Sequence, residues 1–153
     1  MRRLILGVAG FLVACGPPPP TELAAQGGAE IYGKLCSSCH APDGRSLATL
    51  APPLAGHAVR MLEAGGRGHL IRIVLNGMSG PIEVGGKRYD SMMTPLRYLK
   101  DQQVADVLNF VLTSWGNDRL LPQSHQPFTP EEIHQEREPV ASPKQMAAER
   151  PRL

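Results

Sequence analysis

The sequence is poor in aromatic residues and in cysteine. Aromatic side chains make up 5% of the 153 residues, and the chain has three cysteines. So few aromatic residues limit the core that a single domain of this length can bury, and small domains often gain stability from a bound cofactor. Three cysteines are also too few for a four-cysteine zinc site.

The chain also lacks a large excess of either charge, and it has no internal repeat. It contains 16 basic and 14 acidic residues. Removal of Arg2 and Arg3 with an N-terminal segment would leave 14 basic residues against 14 acidic ones. No basic stripe alternates with aromatic residues, so the sequence does not indicate a nucleic-acid partner.

The longest apolar run stands at the N terminus. Arg2 and Arg3 precede an apolar run from Leu4 to Ala14. A basic start, a short apolar core and small residues at its end are typical of a secretory signal. The run is too short to cross a bilayer comfortably as a helix. We therefore predict a signal peptide over residues 1–14 and export of the remaining chain.

The end of this run resembles the lipobox of bacterial lipoproteins. Residues 12–16 read Leu-Val-Ala-Cys-Gly. The resemblance implies cleavage before Cys15 and lipid on its thiol and amino group, which would tether the protein to the periplasmic side of the cytoplasmic membrane. An ordinary signal peptide or an uncleaved anchor is the alternative. Residues 15–26, with four successive prolines at 17–20, are predicted to form the anchor and a stiff spacer.

The most specific motif is Cys-Ser-Ser-Cys-His at residues 36–40. Two cysteines three residues apart and a following histidine form the attachment signature of c-type haem. One helical turn brings Cys36 and Cys39 to the same edge, where each sulfur can add to one haem vinyl group. His40 can then bind the iron as the proximal ligand. The alternatives are a structural disulfide, half of a zinc site, and a thioredoxin-like redox pair, which would follow a strand. The motif occurs once, so we predict one covalent haem c.

Apolar spacing and turn signals predict a mainly helical domain over residues 27–116. Asp101 can cap its last helix. The predicted elements are a helix over residues 28–39, a helix over 69–76 closed by Gly77, a hairpin over 82–89 turning at Gly85 and Gly86, and a helix over 102–115.

The order of these elements resembles class I cytochrome c. That family has a helix with CxxCH, a Pro-x-Leu loop, a short helix, a methionine loop and a C-terminal helix. Residues 89–96 (Tyr-Asp-Ser-Met-Met-Thr-Pro-Leu) and 111–117 (Val-Leu-Thr-Ser-Trp-Gly-Asn) are similar to a subgroup found beside or fused to periplasmic oxidoreductases. The resemblance implies an all-α fold of short helices wrapped around one covalent haem, with a minor hairpin before the methionine loop.

The resemblance also implies a methionine as the sixth iron ligand, and two adjacent methionines compete for this role. Alignment of Tyr89 and Pro95 with the family motif places Met93 at the ligand position, so we prefer it to Met92. A neutral thioether raises the reduction potential relative to bis-histidine ligation. Thr94 stands where the family has a proline, so the motif does not establish the stiffness of the loop.

The family orients its proximal histidine with the Pro-x-Leu loop, which residues 52–54 match. By this resemblance the carbonyl of Pro52 accepts a hydrogen bond from the ring of His40, and Leu54 makes an apolar contact with haem. A plain proline-rich turn would have the same local sequence.

Further contacts are expected around the domain. Gly28 and Tyr32 on the first helix should cross Phe110 on the last helix, with the glycine permitting close approach. Trp115 is interpreted as a core residue or as a contact of the haem edge or a propionate. Arg45 is interpreted as an exposed loop residue or as a partner of a propionate.

The predicted function is one-electron transfer without catalysis. If His40 and Met93 both bind the iron, no open position remains for a substrate. Partners would be redox proteins, such as a dehydrogenase or quinol-oxidising complex on one side and an oxidase or reductase on the other. The alternatives are a haem protein with a displaceable sixth ligand, which acts as a small-ligand sensor or a peroxidase-like enzyme, and a thiol-redox protein without haem. Bis-histidine ligation through His57 or His69 is less favoured.

Residues 117–153 are rich in proline, glutamine and charge. We expect this extension to lie along the surface or to be partly disordered. Its residues 128–133 resemble a common extension of the same subgroup. Thr129, followed by Pro130 and Glu132, predicts a capped helix start that could dock.

Overall fold

The structure, a computed structural model, describes residues 20–153. The predicted signal peptide and Cys15 lie outside these residues. The elements of the described part are α1 (Pro20–Leu35), α2 (Ser37–His40), α3 (His57–Glu63), α4 (Arg67–Asn76), β1 (Ile82–Val84), β2 (Lys87–Tyr89), α5 (Asp101–Thr113), a 3-10 helix (Asn117–Leu120), α6 (Pro130–Gln135) and α7 (Pro143–Ala148). The predicted all-α class with a minor hairpin is confirmed. None of the helices within residues 20–153 has the length and apolar character that a membrane crossing needs.

The main helix contact is the crossing of α1 and α5, as the sequence predicted. A Cβ atom on Gly28 would lie 2.7 Å from the Cβ of Phe110 and would overlap the carbonyl group of Asp106. Only a glycine therefore lets the two backbones approach this closely. The rings of Tyr32 and Phe110 pack beside the crossing with centroids 5.4 Å apart.

The first helix differs from the prediction at both ends. In the described residues it runs from Pro20, so residues 20–26 of the predicted spacer are helical. The single helix predicted over residues 28–39 divides at Cys36, whose φ of −115° and ψ of −37° depart from regular helix geometry. The short α2 then carries the second cysteine and the histidine of the motif.

The start of α5 corrects the predicted cap. Lys100, not Asp101, is the N-cap residue, and its backbone N–H donates to the side chain of Gln103 at 3.0 Å. The Asp101 carboxylate instead accepts from Nε of Arg137 at 2.5 Å. The Asp101 side chain therefore binds an arginine 36 residues later in the chain and does not cap the helix.

The middle of the domain contains one helix that the sequence analysis did not predict, α3 (His57–Glu63). The helix α4 ends as predicted at Gly77, which has a φ of +69°. In the hairpin, Ile82 pairs with Tyr89 and Val84 with Lys87, and Gly85 and Gly86 form the predicted turn with positive φ at both positions.

The extension, residues 117–153, contributes buried side chains to the fold. Phe128, Ile133 and Met146 are at most 3% exposed, so they anchor it to the helical domain. The predicted cap of α6 is present, because Thr129 Oγ1 accepts from the backbone N–H of Glu132. Ion pairs add to these anchors at the surface of α4: Arg67 with Glu132 at 2.6 Å and Arg72 with Glu136 at 2.5 Å.

Candidate functional site

The cysteine–histidine motif forms a tight turn between α1 and α2. The backbone N–H groups of Cys39 and His40 both donate to the carbonyl of Cys36, at 3.1 and 2.9 Å. Neither cysteine forms a disulfide. Cys39 is exposed and Cys36 is half-buried, so one five-residue segment carries two free thiols and an imidazole.

The surroundings of Cys36 do not favour thiol-redox chemistry at this residue. Burial, with a smaller contribution from Cys39, raises the pKa of the Cys36 thiol to about 11. Redox-active and nucleophilic cysteines instead have lowered pKa values, because the thiolate is the reactive form. The thioredoxin-like alternative therefore has no support at Cys36.

The imidazole of His40 is oriented by the predicted proline loop. Its Nδ1 lies 2.9 Å from the carbonyl oxygen of Pro52. A carbonyl oxygen can only accept, so Nδ1 carries the proton and donates. Burial lowers the pKa of His40 and keeps the ring neutral, although the hydrogen bond to Pro52 opposes this effect. Nε2 then has an unprotonated lone pair, which is the state that a metal ligand requires.

The loop after His40 is held by side chains from α1 and from the end of α5. Tyr32 Oη donates to the carbonyl of Ala41 at 2.6 Å, and Trp115 Nε1 donates to the carbonyl of Pro42 at 3.1 Å. The Trp115 ring also lies against Gly44, where a side chain would collide with the indole. Trp115 therefore positions this loop.

The proline loop is joined to the same structure. The carbonyl of Gly44 accepts from the backbone N–H groups of Leu54 and Ala55, at 2.7 and 3.0 Å. Leu54 is half-buried and packs against the main apolar core. These contacts bring Cys36, Cys39, His40, Pro52 and Leu54 into one connected region.

Sequence analysis missed the role of Asn117. This residue is fully buried, and its Oδ1 accepts from the backbone N–H of Gly56 at 2.6 Å. Its Nδ2 donates to the carbonyls of Val111 and Leu54, at 2.7 and 3.3 Å. Asn117 therefore connects the end of α5 to the proline loop. An amide side chain four residues after the end of an apolar helix was the available signal.

The two candidate methionines differ in exposure and support. Met92 is 69% exposed, whereas Met93 is half-buried. Met93 also forms a two-way backbone pair with Met78: its N–H donates to the Met78 carbonyl at 2.8 Å, and the Met78 N–H donates back at 3.2 Å. Met93 is therefore the better fixed of the two.

The remaining cationic and histidine candidates have other surroundings. The side chain of Arg45 is 80% exposed and lies 3.8 Å from the carboxylate of Asp43. His57 and His69 are buried, and burial is the main cause that lowers the pKa of each to about 4. Nε2 of His57 lies 3.1 Å from a guanidinium nitrogen of Arg150. These two histidines therefore belong to a region that faces the extension.

Arg150 also borders an open cavity of about 410 Å³ that sequence analysis did not anticipate. The hairpin turn, His57, Arg60 and the C-terminal Leu153 form its other walls. Within the described residues neither Arg60 nor Arg150 forms an ion pair.

Comparison with known proteins identifies the family. The family model described as Cytochrome c matches residues 25–115. Cytochrome c-552 of Thermus thermophilus is 40% identical over 154 aligned residues, which cover 100% of this chain and 98% of that protein. The cytochrome c subunit of the quinone alcohol dehydrogenase of Gluconacetobacter polyoxogenes is 32% identical over 72% of this chain, and the gluconate 2-dehydrogenase cytochrome c subunit of Pantoea cypripedii is 40% identical over 61%.

The chain covers only 27% and 21% of these two dehydrogenase subunits, so they share one domain with it. It covers nearly the whole of the Thermus protein. The chain therefore belongs to the cytochrome c family of electron carriers, which hold haem c covalently.

Proposed function

We propose that Cys36 and Cys39 bind the haem covalently, that His40 and Met93 are its axial ligands, and that the protein carries single electrons between redox proteins. We further propose that it does so on the periplasmic side of the cytoplasmic membrane, tethered by lipid on Cys15. The hydrogen bond from His40 Nδ1 to the Pro52 carbonyl, 2.9 Å long, is the observation that carries the haem site. It leaves Nε2 unprotonated and free to bind the iron, on the residue that follows the second of two free thiols.

The residues of the region fit a covalent haem. Two unpaired thiols three residues apart match the two thioether bonds that attachment needs, and the imidazole is neutral with its tautomer fixed. When bound, the haem supplies an iron that alternates between two oxidation states. The protein residues hold the ligands, orient the imidazole through Pro52 and exclude water with the apolar core around Leu54.

The difference between the two methionines supports Met93 as the sixth ligand. A ligand has to be held at one position, and the backbone pair with Met78 holds Met93 on both its N–H and its carbonyl. Met92 is largely exposed and has no such pair within the described residues. With both axial positions filled, substrates have no access to the iron, so electron transfer is the function that remains.

The relatives indicate which class of redox partner to expect. Two of them are cytochrome c subunits of an alcohol dehydrogenase and a gluconate dehydrogenase. A tether would raise the effective concentration of the carrier near such membrane-bound partners without any new contact. We therefore propose that this protein is a shuttle or a subunit that accepts electrons from a dehydrogenase or quinol-oxidising complex and passes them to an oxidase or reductase.

Visible spectra test the haem site. The full chain is produced in a host with cytochrome c maturation and measured oxidised, reduced and reduced under CO. We expect a c-type spectrum that survives denaturation, with little change under CO in the wild type. Met93→Ala should open the iron to CO, while the matched variant Met92→Ala should behave as the wild type. Rapid CO binding by the wild type would overturn the closed site and favour a sensor or peroxidase-like protein.

Membrane fractionation tests the tether. The wild type should sediment with membranes, and its N-terminal peptide should carry the mass of a lipid on Cys15. Cys15→Ser should be released into the soluble periplasmic fraction with its haem intact. A wild-type protein found in the soluble fraction without lipid would overturn the tether and leave the haem site unaffected.

A further inference from the structure

The position of Met93 depends on a short segment at the end of α4. Its backbone pairs with Met78 at 2.8 and 3.2 Å. The preceding Gly77 is so close that a Cβ atom there would overlap the Met93 carbonyl and lie 2.9 Å from the nitrogen of Pro95. Any movement of residues 76–78 therefore moves the backbone of Met93.

Arg97, four residues after Met93, connects this segment to the extension. One of its guanidinium nitrogens donates to Oδ1 of the buried Asn76 at 2.9 Å. The other donates to the carbonyl of Arg137 at 2.9 Å and to the carboxylate of Glu138 at 3.1 Å. A single side chain thus ties both arms of the methionine loop to residues 137–138.

The extension returns the contact. Arg137 donates to the carbonyls of Arg97 and Leu99, at 3.0 and 2.7 Å, while its Nε binds Asp101. Arg97 and Arg137 therefore each bind the backbone of the other. Both side chains are less than a third exposed, so water competes weakly for these hydrogen bonds.

The other arm of the loop has its own contact with the extension. The backbone N–H of Ser79, the residue after Met78, donates to the carbonyl of Pro143 at 2.9 Å. Pro143 begins α7, which is anchored by the fully buried Met146. Both ends of the methionine loop are therefore held by residues outside the segment 25–115 that the family model matches.

We propose that Arg97 is a positioning residue for the Met93 ligand and that it acts through the extension. This inference rests on the proposed ligation by Met93. A thioether is a neutral ligand, so its retention depends on how seldom the loop opens. Removal of Arg97 leaves the side-chain Oδ1 of Asn76 and the backbone carbonyl of Arg137 without this donor, which raises the population of the open loop.

The test uses full-length holoprotein carrying Arg97→Gln, Arg97→Lys or the control Arg67→Gln. Arg67 also ties the extension to the domain, through Glu132, but its hydrogen bonds go to residues 126, 127 and 132 and not to the methionine loop. The readouts are the ferric charge-transfer band of methionine-ligated haem and the rate at which the ferrous protein binds CO. The melting temperature is recorded for all variants.

We expect Arg97→Gln to weaken the band and to speed CO binding roughly tenfold, the effect of losing one charged hydrogen bond. Arg97→Lys should lie between Arg97→Gln and the wild type, because an ammonium cannot reach all three acceptors as a planar fork does. Arg67→Gln should lower the melting temperature and keep the wild-type CO rate. If Arg97→Gln folds poorly, Arg137→Gln should also weaken the band and speed CO binding, but by a smaller factor.

Three results would overturn the inference. Equal acceleration of CO binding in the Arg97 and Arg67 variants would mean that the extension stabilises the whole domain without a specific effect on the ligand. An unchanged CO rate in Arg97→Gln and Arg137→Gln would mean that the loop holds Met93 unaided. A wild-type protein without the methionine band would instead overturn Met93 ligation itself, and this inference with it.

Discussion

The two sides of the proposed haem site are held by different parts of the chain. On the histidine side, Tyr32, Trp115 and Asn117 bind the loops after His40 and around Pro52. Tyr32 belongs to α1, and Trp115 and Asn117 follow α5 directly or within a few residues; α1 and α5 form the central helix crossing. On the methionine side, the support comes from the Arg97–Arg137 pair and from α7.

Because of this difference, attachment of the haem and retention of its methionine ligand depend on different parts of the chain. In the proposed site the histidine side would carry the covalent bonds, and it is built on the crossing of α1 and α5. The methionine side would carry a weaker ligand, and its loop is held by ion pairs and backbone hydrogen bonds to the extension. We therefore expect changes at the helix crossing to affect the whole fold, and changes in the extension to act first on the methionine loop.

The largest effect is expected from Gly28→Ala. A Cβ atom at this position overlaps the Asp106 carbonyl on α5, and backbone cannot move aside as a flexible side chain can. We expect the free energy of unfolding to fall by at least about 3 kcal/mol, as in other overpacked cores. Urea unfolding of the holoprotein measures it.

The matched control for this change is Gly33→Ala on the same helix. No atom lies within 4 Å of a Cβ there. Alanine should therefore stabilise the protein by about 0.5–1 kcal/mol through helix propensity. Equal effects of the two substitutions would show that α1 does not pack on α5 as described.

Asn117→Ala is expected to have the next largest effect, on the histidine side. It leaves the Gly56 N–H and the Val111 carbonyl without their partner in a buried place, while the Leu54 carbonyl keeps the N–H of Ala58. The cost should be about 2–3 kcal/mol of unfolding free energy. The exposed neighbour Asp118 provides the control, since Asp118→Ala should change stability by less than about 0.5 kcal/mol. A cost for Asn117→Ala as small as that of the control would contradict the bridging role.

Acid should destabilise the fold through the two buried histidines, His57 and His69. Burial lowers the pKa of His57 and His69 to about 4, and nearby arginines add to this: Arg150 and Arg60 at His57, Arg72 and Arg150 at His69. The unfolded chain binds these protons near pH 6.5, so stability falls as the pH drops from about 6.5 towards 4.

Urea unfolding at pH 7 and pH 4.5 measures this loss, which we expect to be about 2 kcal/mol. His57→Gln keeps a polar partner for Arg150 and should remove part of the pH dependence. His134→Gln, at a largely exposed position, should leave it unchanged. A flat profile in the wild type would show that neither buried histidine stays neutral.

The parts that the sequence predicted correctly depend on local chemistry. The hairpin turn needs positive φ at two residues, and Gly85-Gly86 supplies it. The close crossing at Gly28 follows from a glycine on the face that meets Phe110. On the histidine side, the predicted hydrogen bond between His40 and Pro52 is present at 2.9 Å, because the motif and the loop have fixed roles in the family pattern.

The parts that it missed depend on contacts between distant residues. Asp101 has the local features of a cap, but Arg137 binds it and Lys100 takes the cap position. The extension has a polar composition, and composition does not reveal that three of its side chains are buried or that it forms several ion pairs. Periodicity and composition carry no information about such pairs, so the support of the methionine loop could not be predicted.

The smallest effect is expected from Tyr32→Phe. This change removes only the hydroxyl that donates to the Ala41 carbonyl and keeps the ring beside Phe110 and Trp115. Loss of one hydrogen bond should lower the free energy of unfolding by about 1 kcal/mol. Tyr98→Phe is the control, because Tyr98 is 71% exposed and should tolerate the change without a measurable loss. The CO rate should stay at the wild-type value in both variants, because Tyr32 supports the histidine side alone. An accelerated CO rate in Tyr32→Phe would show that the two sides of the site are coupled through the helix crossing.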